Sequence, residues 1–174
     1  MGESQRHLRL EKVFDDHAAA VRAYARRRTD PASADDAVGE VFAIAWRRLD
    51  DLPDEPLGWL FGCARRVLAH QQRRARRDNA LTARLSSGLG EPPPVGDQRL
   101  ADALMSLTES DRETLLLTAW EGLSPTEAAA ALGCSRNAYT VRLHRARRRL
   151  AAALNREEHQ RSDPIQRSRP EVDR

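Results

Sequence analysis

The chain has 174 residues, room for one domain or two small ones, and 32% of them are charged, with a pI near 9.4. The net charge is only +3, so acids and bases must be segregated along the chain; nearly every base is arginine, and Lys12 is the one lysine. Cys63 and Cys134 form no C-x-x-C pair and no His/Cys cluster has zinc spacing, which argues against a disulfide framework or a zinc site and suits free thiols in a reducing cytosol. There is no secretory signal and no apolar run of membrane-spanning length, so a cytoplasmic protein is expected.

A first helix is predicted from about Arg6 to Arg28, where Leu10, Val13, Phe14, His17, Val21 and Tyr24 keep helical spacing. His17 is a lone histidine on that side, expected to pack rather than to react. Thr29-Asp30-Pro31 breaks the helix. Ser33 then caps a second, with Asp36 in the capping-box position and Ala37, Val38, Val41, Phe42, Ala45 and Leu49 buried. Asp35, Asp36 and Glu40 make its start acidic, which also suits the helix dipole. Trp46 lies at the edge of the stripe, either core or partner-facing.

An acidic loop, Asp50 to Glu55, leads to Pro56 and a third helix with Leu57, Trp59, Leu60, Cys63, Ala64, Val67 and Leu68 on its apolar side. This helix turns basic: Arg65, Arg66, His70, Arg73, Arg74, Arg76 and Arg77. The helix dipole accounts for some of these cations, but their density points to a nucleic-acid surface. From Asp78 to about Gln98 the pattern decays into Ser-Ser-Gly and Pro-Pro-Pro, a flexible linker. Leu100, Leu104 and Leu107 restore order. Thr108 with Asp111 starts a helix that buries Leu115, Leu116, Ala119 and Trp120, and Gly122 stops it.

Ser124 to Leu150 reads as helix, tight turn, helix. Ser124 and Glu127 form a capping box around Pro125, Gly133 supplies the left-handed residue, and Ser135 caps the second helix. That helix buries Tyr139, Leu143, Ala146, Leu150 and Leu154. Its other face holds Asn137, Thr140, Val141, His144 and Arg148, flanked by Arg136, Arg145 and Arg147, with no acid from Arg136 through Asn155. Such a helix suits a DNA major groove: arginines for phosphate or guanine, Asn137 for a base edge, Val141 for a thymine methyl. Residues 155–174 are expected to be a disordered tail. No stretch alternates with period two. The fold class is all-α: two small helical domains, 6–77 and 99–154, joined by a linker at 78–98, the second containing a helix-turn-helix.

Four strings carry a resemblance: Ala34-Asp35-Asp36-Ala37-Val38-Gly39-Glu40-Val41-Phe42-Ala43-Ile44-Ala45-Trp46-Arg47-Arg48-Leu49, the Pro56 to Arg65 opening of the third helix, Leu107-Thr108-Glu109-Ser110-Asp111-Arg112-Glu113 running into the helix-turn-helix, and Leu143-His144-Arg145-Ala146-Arg147-Arg148-Arg149-Leu150 closing it. In this order they resemble a bacterial RNA polymerase sigma factor of the extracytoplasmic-function type, from about Phe14 to Leu154. The resemblance implies that domain two docks on the β′ clamp helices of core polymerase, through Asp35, Asp36, Glu40, Val41, Phe42 and Trp46. It implies recognition and melting of a −10 element through Pro53, Asp54, Trp59, Arg65, Arg66, His70 and Arg73. Domain four would read a −35 element through Ser135, Arg136, Asn137, Thr140, Val141, His144, Arg145 and Arg148, beside the β flap. An anti-sigma protein is a further candidate partner. No catalytic residue, metal or cofactor is implied.

Two other readings stand beside it. A stand-alone helix-turn-helix regulator would never bind polymerase, but such proteins usually dimerise and no dimerisation heptad is evident. A nuclease could be imagined around Asp35, Asp36, Asp50, Asp51 and Asp54, although a helix start and a solvated loop account for these acids.

Overall fold

The computed structural model describes residues 2–78 and 98–162. Among these are seven helices and no strand: α1 Glu3–Arg26, α2 Pro31–Arg47, α3 Leu57–Asp78, α4 Gln98–Met105, α5 Glu109–Ala119, α6 Pro125–Leu132 and α7 Arg136–Ser162. A single 3-10 turn, Leu49–Asp51, follows α2. The predicted linker falls almost wholly on 79–97, outside the described residues, as does 163–174 of the predicted tail. The tail does not begin at 155, because α7 continues to Ser162.

Helices α1, α2 and α3 form the first bundle around Val21, Tyr24, Val41, Leu49, Leu60 and Phe61, all essentially without solvent contact. The start of α2 differs from expectation. Asp30, not Ser33, is the cap: its carboxylate accepts from the backbone N–H of Ala32 at 3.1 Å and of Ser33 at 3.0 Å. Pro31 then occupies the first helical position, where its missing N–H costs nothing. Phe14, expected along the apolar stripe of α1, is 42% exposed and meets the Phe42 ring edge-on at 4.8 Å.

Helices α4 to α7 form the second bundle. The capping box of α6 is present, with Ser124 Oγ accepting from Glu127 N–H at 3.3 Å and the Glu127 carboxylate accepting from Ser124 N–H at 2.8 Å. Gly133 closes α6 at φ 65°, a left-handed conformation that a side chain would strain. Buried Arg112 closes the end of α4: its guanidinium donates to the carbonyls of Leu104 at 2.9 Å, Met105 at 3.1 Å and Leu107 at 3.2 Å. These include carbonyls a helix end leaves without partners. Trp120 is not buried as expected. It sits just past the last residue of α5 and is 43% exposed, while Ala119 is also exposed.

The two bundles are docked rather than held apart. One contiguous apolar core includes Val13 of α1 and Ala146 of α7. The main seam lies between α3 and α6. It is closed at one end by Tyr24, Arg27 and Arg28 meeting Glu113 and Glu121.

Candidate nucleic-acid and polymerase interface

Helix α7 is positioned by what it buries. Tyr139, Leu143, Ala146 and Ala153 turn inward, and the Tyr139 hydroxyl donates to the Thr114 carbonyl at 2.9 Å, anchoring the helix to α5. Ser135 Oγ accepts from Ala138 N–H at 3.2 Å and fixes the N-terminal end. Arg149 pairs with Asp111 at 2.6 Å, which takes that arginine out of the outward row. Helical spacing then turns Arg136, Asn137, Thr140, Val141, His144, Arg145 and Arg148 to solvent, and every one is exposed. Val141 is 50% exposed, an apolar residue left among arginines. The eight residues expected to read duplex DNA, Ser135 included, therefore share one accessible surface.

The α3 candidates divide. Arg65, Arg66, His70 and Arg73 are exposed, as are Pro53 and Asp54 in the preceding loop, whereas Trp59 is half-buried against the core. Arg66 donates to the Cys63 sulfur at 3.2 Å. Cys63 is buried, and burial pushes its thiol up, a shift that the nearby Arg66 opposes only in part. A cleft of about 520 Å³ opens where α3 faces the second bundle; Arg65, Arg66 and Arg73 line it on one side and Arg142 on the other.

The α2 candidates divide as well. Val41 and Phe42 point into the core, with Val41 fully buried and Phe42 6% exposed, so a partner cannot reach Val41 and touches Phe42 at most at its edge. The accessible part of this face is Asp35, Asp36 and Glu40. Asp35 is engaged by Arg22 at 3.0 Å and Arg26 at 3.6 Å. Trp46 is half-covered by α1: the Arg6 guanidinium lies 5.3 Å from its ring centre and the His7 ring lies 4.8 Å away. The acids once considered around a metal are dispersed, Asp50 being paired with Arg6, and no group of three metal-ligating side chains occurs among the described residues.

Sequence reasoning missed the seam. Tyr24 donates to Glu113 at 2.7 Å; Arg28 donates to Glu113 at 3.0 Å and to Glu121 at 3.2 Å, and Arg27 also pairs with Glu121. Gly58 and Gly62 let α3 approach the backbone of α6. The available signal was polar residues at inward positions of α5, since Asp111, Arg112 and Glu113 are all buried.

A docked pair of helical bundles, one presenting an acidic helix face and an arginine-rich helix, the other an exposed basic helix after a tight turn, defines a DNA-binding transcription protein with a second, protein-docking half. Residues 13–78 match the family model for sigma-70 region 2, and residues 97–150 match that for sigma-70 region 4. RNA polymerase sigma factor CnrH of Cupriavidus metallidurans is 35% identical over 156 residues, 79% of this chain and 80% of its own. The ECF RNA polymerase sigma factor SigL of Mycobacterium tuberculosis is 33% identical over 83% of this chain and 88% of its own. Among solved structures, the sigma factor RpoE in complex with the anti-sigma factor NepR from Bartonella quintana aligns with a TM-score of 0.60 at 25% identity, covering 83% of this chain and 96% of that one. CnrH in complex with the cytosolic domain of CnrY aligns at 0.54 and 31% identity, covering 84% and 87%. The chain belongs to the extracytoplasmic-function sigma factors, the promoter-specificity subunits of bacterial RNA polymerase.

Proposed function

We propose that the first bundle carries the polymerase contact and the −10 contact, and that the second carries the −35 contact. Residues 6–77 would act as sigma domain two and 99–154 as sigma domain four. Asp35, Asp36, Glu40 and the exposed edge of Trp46 dock on the β′ clamp helices, where acids on a helix suit a partner that offers arginines. Pro53, Asp54, Trp59, Arg65, Arg66, His70 and Arg73 handle the melted −10 strand. Aromatic stacking and cations along the backbone are what single-stranded DNA needs. The α7 row from Ser135 to Arg148 enters the −35 major groove, and the second bundle lies against the β flap. The observation that carries this reading is that acid-free, fully accessible α7 face.

The protein has no chemistry of its own in this reading and works in the cytoplasm, where its polymerase is. No helix among the described residues is long and apolar enough to cross a membrane. An anti-sigma protein is a further partner, since two solved relatives are complexes with, respectively, an anti-sigma factor and the cytosolic domain of CnrY. The paired region 2 and region 4 matches leave the stand-alone regulator without support. The test is co-elution of the purified chain with core polymerase, followed by transcription from candidate promoters. A chain that never co-elutes and directs no promoter-dependent start overturns the proposal.

A further inference from the structure

The N-terminal turns of α1 carry contacts that the promoter reading leaves unused. The helix begins at Glu3, one turn ahead of the expected start at about Arg6. Gly2 caps it, and the Gly2 N–H donates to the Gln5 side chain at 3.3 Å. Glu3 in the first turn also suits the helix dipole. Arg6 therefore lies inside regular helix, and Arg9 follows one turn later on the same face. Both precede Val13, the first buried residue of α1. The sigma-70 region 2 match also begins at residue 13, so these two arginines lie ahead of the matched stretch.

Both arginines reach across to the segment that joins α2 to α3. The Arg6 guanidinium pairs with the Asp50 carboxylate and donates to the Trp46 carbonyl at 3.3 Å. It thus ties the end of α2 to the 3-10 turn Leu49–Asp51. The Arg9 guanidinium donates to the Leu52 carbonyl at 2.8 Å. Leu52 is extended, at φ −71° and ψ 127°, the conformation that a following proline favours. Pro53 brings no N–H, so the Leu52 carbonyl is the only hydrogen-bonding group of that peptide unit, and Arg9 takes it. Leu49 and Leu52 anchor the segment in the core, and the two guanidiniums hold its backbone. Pro53, Asp54 and Glu55 stand exposed just beyond the last hold.

A loop that meets single-stranded DNA gains affinity when its shape is set beforehand, because ordering it on binding costs free energy. We propose that Arg6 and Arg9 are positioning residues for −10 recognition. They clamp the backbone from Trp46 to Leu52, so that Pro53 and Asp54 meet the melted strand in one fixed shape. The inference rests on the −10 reading of Pro53 and Asp54. Neither arginine touches the strand; each acts through the loop it holds. Arg9 makes the sharper claim, because one guanidinium meets one carbonyl. Arg6 also lies 5.3 Å from the Trp46 ring centre, so its loss disturbs the edge assigned to polymerase as well.

Arg9→Met in the full chain tests this, since methionine keeps an aliphatic stem for packing and removes the donor. Hydrogen exchange reads the loop. The amides of Asp51 and Leu52 donate to the carbonyls of Arg48 at 3.0 Å and Leu49 at 3.4 Å, and both should exchange about tenfold faster in the variant. Circular dichroism should show the helices intact; should they be lost, Arg9→Gln takes its place under the same readouts. Run-off transcription with core polymerase, on promoters altered at −10 or at −35, reads the consequence. Arg9→Met should discriminate against changed −10 bases several-fold less than the wild type and respond to −35 changes as the wild type does. Arg9→Lys, which keeps a donor for the one acceptor, should lie nearer the wild type in both assays. Asp54→Ala on the same promoters tests the −10 reading itself. Unchanged exchange at Asp51 and Leu52 overturns the clamp. A −10 preference altered by Asp54→Ala and untouched by Arg9→Met overturns the positioning role, and so does an equal loss of discrimination at −10 and −35. A −10 preference untouched by either variant sinks the −10 reading of the loop, and the inference with it.

Discussion

The Tyr24 hydroxyl donates to the Glu113 carboxylate at 2.7 Å, and this bond joins helices from opposite bundles. Arg28 completes the arrangement by lying against the Tyr24 ring and donating to the same carboxylate. One carboxylate thus receives both a phenol and a guanidinium from α1 and the turn after it. Removing the phenol leaves Glu113 with Arg28 alone. Tyr24→Phe should weaken docking by about 1 kcal/mol, the usual net worth of such a bond, which is roughly a fivefold shift toward the open form. The loss appears as opening and not as unfolding, because parted bundles rehydrate the exposed charges. Scattering should show Tyr24→Phe more expanded than the wild type.

Both tyrosines of the chain are shifted in the same direction. Burial raises the Tyr24 phenol well above its ordinary range, with the Glu113 charge adding to the effect. Burial also raises Tyr139. A raised value means the folded chain holds its proton where the unfolded chain has released it. The stabilising contribution is complete below the ordinary tyrosine value of about 10 and is lost as pH climbs from there through the raised folded values. Absorbance at 295 nm should therefore rise later in the native chain than in denaturant. Coincident titration curves would remove both the Tyr24 and the Tyr139 arguments.

Arg112 is the fastening of the second bundle. Its guanidinium serves the carbonyls of Leu104, Met105 and Leu107 while the residue stays 8% exposed. Arg112→Ala strips partners from buried acceptors, and the expected cost is about 2–4 kcal/mol of second-bundle stability, since unsatisfied groups carry their desolvation penalty. Arg112→Lys should recover only part of it, because an ammonium cannot span the three acceptors as a planar fork does. Thermal unfolding followed by circular dichroism gives both values.

Phe42 and Glu40 lie on one helix and should fail differently. Phe42 is buried and meets the Phe14 ring edge-on, so Phe42→Ala should cost roughly 3–5 kcal/mol of stability. Glu40 is exposed, so Glu40→Lys should leave stability within about 0.5 kcal/mol and weaken the polymerase contact. Melting curves beside a core-polymerase binding titration separate the two. A Glu40→Lys chain that binds core as tightly as the wild type would place the docking face elsewhere.

Local chemistry was legible in the sequence and distant contact was not. Ser124, Glu127 and Gly133 mark their helix because a cap and a left-handed turn depend on residues within one turn. The outward row of α7 was legible because buried residues recur every third or fourth position. At the start of α2 two good caps competed, and the proline after Asp30 was the neglected signal, since it fixes the first helical position. Trp120 looked like core because its spacing continued α5, but the helix ends one residue earlier. Gly58 and Gly62 carried no readable role, for their meaning depends on which helix of the other bundle lies above them. The Arg28–Glu113–Glu121 group was hidden for the same reason, its partners being separated by more than eighty residues of chain.

The most direct measurement is run-off transcription with core polymerase and a chain carrying Arg145→Ala or Asn137→Ala, on a cognate promoter and on derivatives altered base by base at −35 and at −10. Each substitution should cost about 1–3 kcal/mol at one position within the −35 element, relax the preference for that base, and leave the response to −10 changes as in the wild type. If an Arg145→Ala chain and an Asn137→Ala chain both transcribe as the wild type does from every promoter, the exposed face of α7 does not read the −35 groove.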